Sequence, residues 1–269
     1  MVSYLARHKE ALYSAFPMHK FIIPLFALAL LLVSCRFPWQ KTPEEPTPLE
    51  EAAPPEEEQR PFGYDGQVLT GMHRVILHTS LGDIALELNA DSAPMAVTNF
   101  MWLARAGYYN ALTFHRVVPG FVIQGGDPND DGTGGTSVFG DTFEDEVNPA
   151  AYGHDRTLRE VAGDQPVPDE LANMTVRQFY ESQGYAYRDD LPPTPQLTRG
   201  VIAMANSGPN SNSSQFFIIQ AERTTWLEGK HTVLGKVVEG MEVVDAIASV
   251  ERSENDQPLE PVTYDVEVP

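Results

Sequence analysis

The 269-residue chain contains a single cysteine, Cys35, so no disulfide can form within it. It is also poor in basic residues, with 18 Lys and Arg against 38 Asp and Glu, which gives a formal net charge of −20. A negative surplus of this size repels phosphate backbones and argues against nucleic-acid binding. Hydrophobic residues still make up 42 % of the chain, which is enough for the core of a globular domain.

Several common catalytic and cofactor motifs are missing. The glycine-rich stretch at residues 132–140 has no Lys-Ser/Thr pair at the spacing of a phosphate-binding loop, and no Gly-x-Ser-x-Gly motif occurs. The seven histidines form no pair at i, i+4 that would suggest zinc. Asp127, Asn129 and Asp131 match the start of a calcium loop, but Val138 occupies the position that needs a bidentate Glu. The sequence therefore predicts neither a metal nor a cofactor.

No apolar run is long enough for a stable membrane span. The longest candidate, residues 21–33, contains Pro24, whereas a transmembrane helix needs about 20 apolar residues. His19 and Lys20 precede this run, and the small residue Ser34 follows it. A cationic start, an apolar centre and a small-residue end predict a signal peptide over residues 1–34. Whether translation starts at Met1 or at Met18 stays open.

The Leu-Val-Ser-Cys sequence that ends at Cys35 resembles the lipobox of bacterial lipoproteins. The resemblance implies that Cys35 is lipidated after export and anchors the chain to a bacterial membrane, facing the periplasm or the cell exterior. A plain signal peptide, or an N-terminal anchor with an incidental Cys35, is the alternative.

Proline and glutamate dominate residues 35–70, and no apolar period runs through them. Such a segment cannot bury enough surface to offset its conformational entropy, and like-charged Pro-rich chains are extended. We therefore expect residues 35–70 to be a tether for a domain at residues 71–269, with order beginning near His73.

Short apolar stretches separated by turn residues dominate this domain. RVILHTSLGDIALELN predicts two strands around a turn, and VTYDVEV alternates like a last strand. Helical spacing appears after Pro94, with Asp91 or Ser92 as the cap, and again over MEVVDAIASV. Many short strands with two helices predict a mainly β fold, a closed antiparallel barrel with helical caps.

Residues 148–198 interrupt this pattern with loop-like sequence rich in Pro and Asp. One helix is predicted in TVRQFYESQGY, where Thr175 and Gln178 match a capping box. We expect a partly helical insertion packed onto the barrel and not a second domain. A role in gating a groove or recruiting a client protein is the alternative.

The stretch FHRVVPGFVIQGGDP, residues 114–128, combines one cation and one amide with bulky apolar residues. Together with GTGG, FEDE, AMANSGPNSNSSQFF and WLEGKH, in this order, it resembles the cyclophilin family of peptidyl-prolyl cis/trans isomerases. The resemblance runs from about Arg74 to the C-terminus, apart from the insertion. It implies an eight-stranded barrel, two capping helices and a groove on the outer face.

The resemblance also assigns site residues. The catalytic residues would be Arg116, Phe121 and Gln124. Substrate-binding residues would line a proline pocket, offer backbone groups to the residue before proline, or contact cyclosporin-type macrocycles. These residues are Val122, Ala205, Asn206, Gln215, Phe217, Trp226, Leu227 and His231.

The residue types suit that chemistry on physical grounds. Rotation about an Xaa-Pro bond faces a barrier of roughly 18–20 kcal/mol, but no covalent bond forms or breaks, so neither nucleophile nor general base is needed. The twisted proline nitrogen can accept a hydrogen bond, which the multi-donor guanidinium of Arg116 supplies better than lysine would. The sequence thus predicts an isomerase acting on proline-containing polypeptides. A peptide-binding or chaperone-like module with little turnover is the alternative.

Overall fold

A computed structural model of the chain describes residues 61–269, all of which belong to one compact unit. The predicted signal peptide, Cys35 and most of the predicted tether lie outside the described residues. Within residues 61–269, no helix is both long and apolar enough to cross a membrane.

The described residues form nine strands: β1 (Met72–Thr79), β2 (Gly82–Asn89), β3 (Leu112–Thr113), β4 (Arg116–Val118), β5 (Val122–Gly125), β6 (Val201–Met204), β7 (Phe216–Ile219), β8 (Val233–Glu239) and β9 (Thr263–Glu267). Four α-helices accompany them: α1 (Pro94–Arg105), α2 (Leu158–Ala162), α3 (Val176–Glu181) and α4 (Met241–Ala248). The β1–β2 hairpin, α1, α3, α4 and β9 lie where the sequence patterns predict them.

The strands form one antiparallel sheet in the order β3-β9-β1-β2-β8-β6-β7-β5-β4. Its end strands, β3 and β4, are separated in the chain only by Phe114 and His115. A link this short spans at most about 11 Å, so the sheet must curl until its two ends approach each other.

The prediction of a mainly β, antiparallel fold is confirmed. The sheet has nine strands, however, because the two-residue β3 is a separate element that pairs only with β9. In the part of the chain that the structure describes, no ladder joins β3 to β4, so closure of the barrel stays a prediction.

The strands β5, β6 and β7 are covered on both faces. Period-two alternation directs Ile123, Ile202 and Ile218 into the main core, which also contains residues of α1 and α4. The alternate positions, including Val122 and Phe217, form a second apolar cluster on the opposite face. This second face is where the candidate site lies.

A distant carboxylate caps helix α1. The prediction of a cap at Asp91 or Ser92 is wrong, because Ala93 is the N-cap residue and contributes no side-chain bond. The Glu146 carboxylate instead accepts hydrogen bonds of 2.9 Å from the N–H groups of Met95 and Ala96. Burial raises the pKa of Glu146, although both bonds oppose the shift. A segment far along the chain thus satisfies the helix N-terminus.

The insertion contains two short helices, each with a capping box. Thr175 and Gln178 cap α3, as predicted, and Thr157 and Glu160 cap α2, which the sequence analysis missed. Leu158 of α2 is buried against the α3 residues Val176 and Tyr180 in a small apolar cluster. The cluster gives the insertion its own packed centre.

Ordered structure begins before the predicted boundary at His73. The Tyr64 ring lies edge-on to Trp102 and Phe139, with centroids 5.9 and 5.2 Å away. The Leu69 N–H donates to Thr98 Oγ1 at 2.8 Å. Two apolar side chains at the end of the predicted tether therefore pack on α1 and its neighbours, since burying them offsets the entropy of ordering.

His78 on β1 joins β2 and β9 through two carboxylates. Its Nε2 lies 2.8 Å from Glu267 Oε2 and its Nδ1 lies 2.9 Å from Asp83 Oδ1. The bond to Glu267, followed by that to Asp83, raises the pKa of His78. A raised folded-state pKa means that this stabilisation is complete below the unfolded value of about 6.5 and disappears as the pH rises through the folded value.

We predict that His78→Gln lowers the free energy of unfolding at pH 5.5 by less than about 1 kcal/mol, since solvent screens these exposed groups. The difference from the wild type should vanish near pH 9. Urea denaturation of both proteins at the two pH values measures it. A difference that stays constant with pH would exclude this role for the imidazolium.

Candidate active site

The register of four strands places three of the predicted site residues in one row. Arg116 of β4 is paired with Gln124 of β5, Gln124 with Phe217 of β7, and Phe217 with Ala203 of β6. Directly paired residues of neighbouring strands point to the same side of a sheet. The fold therefore brings a cation, an amide and an aromatic ring together on its outer face.

Arg116 lies at one end of this row and has no acidic partner among residues 61–269. Its Nη1 donates to Gln124 Oε1 at 3.4 Å, and its Cζ lies 5.8 Å from the centroid of the Phe121 ring. None of the ion pairs formed by residues 61–269 involves Arg116. Most of its five N–H donors thus stay available to a ligand.

A hydrogen-bond relay fixes the orientation of Gln124. Gln215 Nε2 donates to the carbonyl oxygens of Gly132 and Gly134 at 3.0 and 2.7 Å, which directs Gln215 Oε1 towards Gln124. Gln124 Nε2 donates to that oxygen at 3.0 Å. Because both amides are set by their partners, Gln124 Oε1 faces Arg116 and one Nε2–H remains free for a carbonyl group.

An apolar cluster lies next to Arg116, at the place predicted for a proline pocket, and is called the hollow from here on. Val122 and Phe217 are 2 % and 5 % exposed, and Phe121 and Leu227 are partly buried beside them. The His231 ring stands edge-on to Phe217 at 5.3 Å. The fold thus brings together all five side chains predicted for a proline pocket.

His231 contributes to this hollow as a neutral ring. Burial lowers the pKa of His231 to about 4, so the imidazole is uncharged at neutral pH. Its Nδ1 lies 3.0 Å from the carbonyl oxygen of Met204, to which only a protonated Nδ1 can donate.

Trp226 closes one side of the hollow. Its ring is tilted by 32° against Phe121, with the centroids 5.6 Å apart. Trp226 is partly exposed, so its other surface is accessible to a ligand.

A polar cavity of about 280 Å³ lies on the other side of Gln124 and Gln215, and residues 132–135, 141–142, 205–207, 211 and 213 complete its lining. The Ala205 N–H donates to the Gln215 carbonyl at 2.9 Å. In the described part of the chain, the backbone N–H and carbonyl of Asn206 have no hydrogen bond. They are therefore free to pair with an extended peptide.

Asp145 orders the loop that carries Asn206, a role that the sequence analysis missed. Its carboxylate accepts from the Asn210 N–H at 2.9 Å, from Asn212 Nδ2 at 2.8 Å and from Asn206 Nδ2 at 3.3 Å. Burial raises the pKa of Asp145, and these bonds oppose the shift. The sequence offers little signal for this role, because Asp145 lies between Glu144 and Glu146 in the FEDE motif and its asparagine partners lie over 60 residues away.

The stretch that resembles a calcium loop is organised by backbone groups. The Asp127 carboxylate accepts from the N–H groups of Asn129, Asp131 and Gly132 at 2.8, 3.2 and 2.5 Å. Asx-type bonds of this kind account for the sequence pattern without a metal ion.

Comparison with known proteins identifies a matching family. A model of the cyclophilin type peptidyl-prolyl cis-trans isomerase family matches residues 74–267. The chain is 40 % identical over 191 residues to peptidyl-prolyl cis-trans isomerase ppi1 of Schizosaccharomyces pombe, a match that covers 71 % of this chain and 95 % of the relative.

A solved structure has a similar fold. The cyclophilin type peptidyl-prolyl cis-trans isomerase of Cryptosporidium parvum superposes with a TM-score of 0.55 at 27 % identity, covering 74 % of this chain and 98 % of that one. The same protein was also solved in the presence of the dipeptide Ala-Pro, and that structure superposes with a TM-score of 0.54 over 73 % and 98 % of the two chains, also at 27 % identity.

We predict that Arg116→Ala lowers kcat/KM for an Xaa-Pro peptide by about one to three decades, the scale of losing one key donor to a transition state. Arg74→Ala is the matched control, since Arg74 is paired with Glu239 on the exposed surface. A protease-coupled assay of peptide isomerisation measures both variants. Equal activity of Arg116→Ala and the wild type would contradict a direct role for this guanidinium.

Proposed function

The chain belongs to the cyclophilin type peptidyl-prolyl cis-trans isomerase family, and on that premise we propose that it accelerates Xaa-Pro isomerisation in exported or cell-surface proteins and so assists their folding. The observation that supports this best is the position of Arg116 beside an apolar hollow, where no acidic residue of the described part of the chain is paired with it. The Ala-Pro dipeptide with the similar Cryptosporidium protein supports the choice of substrate.

We propose that the proline ring enters the hollow formed by Phe121, Phe217 and Leu227. Burying the ring fixes one side of the imide bond, while the peptide before proline stays able to turn. The free backbone groups of Asn206 pair with that peptide, and the free Nε2–H of Gln124 holds a carbonyl. Binding in this way orders the substrate without favouring either planar isomer.

Catalysis then depends on the twisted state. When the imide rotates, amide resonance is lost and the proline nitrogen becomes a hydrogen-bond acceptor. Arg116 donates a hydrogen bond to that nitrogen or to the proline carbonyl, and Gln124 holds it in position for this before the substrate binds. A donor aimed before the reaction needs no reorganisation, so it stabilises the twisted state more than the planar ones. No proton has to be transferred, which fits the neutral His231 beside the hollow.

Three finer features belong to the same proposal. The curled sheet closes as the eight-stranded barrel of the family, with β3 and β4 meeting at its seam. Trp226 contacts cyclosporin-type macrocycles that occupy the groove. The domain is exported and held by a lipid on Cys35, with residues 35–60 as part of the tether.

A peptide-binding or chaperone-like module with little turnover is the second candidate. The polar cavity beside Gln124 and Gln215 favours it, since such a cavity suits the binding of a peptide without chemistry. The two candidates differ in their dependence on Arg116, because holding a client needs the hollow but not the guanidinium.

The deciding experiment is the refolding of a protein whose slow phase is limited by an Xaa-Pro bond. We expect catalytic amounts of the full-length chain to accelerate this phase, whereas Arg116→Ala should lose most of the acceleration. A chaperone-like module would raise the refolded yield at stoichiometric amounts, leave the rate unchanged and tolerate Arg116→Ala. That second pattern would overturn the proposal of an isomerase.

For the lipid anchor, we predict that a bacterial host expressing the full chain incorporates labelled fatty acid into it, and that Cys35→Ser abolishes the labelling. Ser34→Ala is the matched control, since it keeps a small residue before Cys35 and should keep the label. Labelling that persists in Cys35→Ser would rule out Cys35 as the attachment site.

A further inference from the structure

The turn at residues 226–231, between β7 and β8, supplies three of the groove residues, Trp226, Leu227 and His231. On the barrel side this turn is held by the bond between His231 and the Met204 carbonyl. On its other side it contacts the insertion at residues 148–198. The geometry of that contact determines how firmly one wall of the proline pocket is held.

His154 of the insertion packs directly on the backbone of the turn at Gly229. Gly229 has a φ of +83°, and a Cβ atom there would collide with His154 Cε1. His154 is only 7 % exposed, and the rings of Tyr152, Tyr180 and Tyr187 surround it with centroids 5.4, 5.5 and 6.1 Å away. The histidine is thus wedged between the insertion's aromatic residues and the turn.

Tyr180 of α3 makes a second contact with the turn. Lys230 Nζ lies 5.4 Å from the centroid of the Tyr180 ring, in a cation–π arrangement. The carbonyl oxygen of Lys230 accepts from Asn206 Nδ2 at 2.8 Å. One continuous line of contacts therefore runs from the insertion through Lys230 to the loop that faces the peptide.

The end of the insertion reaches the hollow itself. Leu197 is fully buried in the same apolar cluster as Val122 and Phe217. Its carbonyl oxygen accepts from the Thr224 N–H at 2.9 Å, just before the turn. The insertion thus contacts the pocket at two places. Leu197 packs within its apolar cluster, and His154 and Tyr180 contact the 226–231 turn.

We propose that the insertion is a positioning element of the proline pocket, in which His154 and Tyr180 hold the 226–231 turn, and with it Leu227 and His231, in the shape that receives proline. This inference rests on the proposed isomerase function. It differs from gating and from client recruitment, because the contacts exist without a substrate and do not cover the groove.

His154 contributes to this contact through the size and shape of its ring. Its Nδ1 is buried and has no hydrogen-bond partner within residues 61–269, and burial lowers the pKa of His154 to about 4. A neutral ring of similar size should therefore fill the same space. His154→Phe keeps a ring against Gly229, whereas His154→Ala leaves a cavity beside it.

The test compares His154→Ala, His154→Phe and Leu171→Ala in the full-length chain. Leu171 packs on the same insertion cluster of Leu158, Val176 and Tyr180, so it controls for a general loss of insertion packing. We expect His154→Ala to raise KM for Xaa-Pro peptides by about three- to tenfold, with kcat changed by less than about twofold, because the hollow is loosened while Arg116 stays in place. His154→Phe and Leu171→Ala should both stay within about twofold of the wild type in KM.

A spectroscopic readout separates this inference from the proposed function. The chain has three tryptophans, Trp39, Trp102 and Trp226, and only Trp226 lies on the turn. With 5-fluorotryptophan incorporated, we expect His154→Ala to shift or broaden the ¹⁹F resonance of Trp226, assigned through Trp226→Phe, and to leave that of Trp102 unchanged. His154→Phe should leave both resonances as in the wild type.

The possible results of these experiments separate the proposed function from the inference about the insertion. A wild type without turnover would refute the proposed function, while the Trp226 resonance would still report on the turn. An active wild type with an unchanged KM and an unchanged Trp226 resonance in His154→Ala would overturn the inference. Equal effects of His154→Ala and Leu171→Ala would also overturn it, since the insertion would then contribute only general stability.

Discussion

An arginine side chain beside an apolar hollow, with no acidic partner among residues 61–269, is the constraint around which the site is organised. A guanidinium is stable in this position only if its remaining donors face solvent or a ligand and if its orientation is set by neighbours. Pairing of β4 with β5 supplies the orientation, because Gln124 lies directly opposite Arg116. An acidic partner would hold Arg116 more firmly but would occupy the donors that a twisted imide needs.

The rigidity of the groove comes from groups that do not touch the expected substrate. Gln215, held by two backbone carbonyls, fixes the orientation of Gln124. Asp145 accepts hydrogen bonds from three asparagines of the loop that carries Asn206. The turn at 226–231 packs on the insertion. Each of these connects segments that are distant in the chain. The outer face of β5, β6 and β7 is therefore held in shape by contacts from several parts of the chain.

Local signals predicted a good part of the fold, and contacts between distant segments account for what they missed. Alternation and turn residues identified β1, β2 and β9, and a capping box located α3. Thr157 and Glu160 form the same kind of capping box at α2, but it was not recognised in the sequence. No local pattern, however, reveals that Glu146 caps α1 or that Tyr64 packs on Trp102, because those contacts depend on the curled sheet.

In the site, too, local motifs were informative and contacts between distant segments were not. The motif resemblance identified Arg116, Gln124 and Phe217, and the strand register brings these residues together. The contact between His154 and Gly229 could not be predicted from the sequence, since the insertion lies outside the motifs that carry the family resemblance.

In the proposed mechanism, Arg116 acts on the twisted imide and not on binding. The most direct measurement is NMR line-shape analysis of an Xaa-Pro peptide with the wild type and with Arg116→Lys, which gives the affinities of the cis and trans isomers and their interconversion rate on the protein. We predict that Arg116→Lys slows interconversion by about tenfold or more and changes either affinity by less than about threefold. Weaker binding of both isomers in equal measure, with the rate on the protein unchanged, would show that Arg116 acts on binding instead.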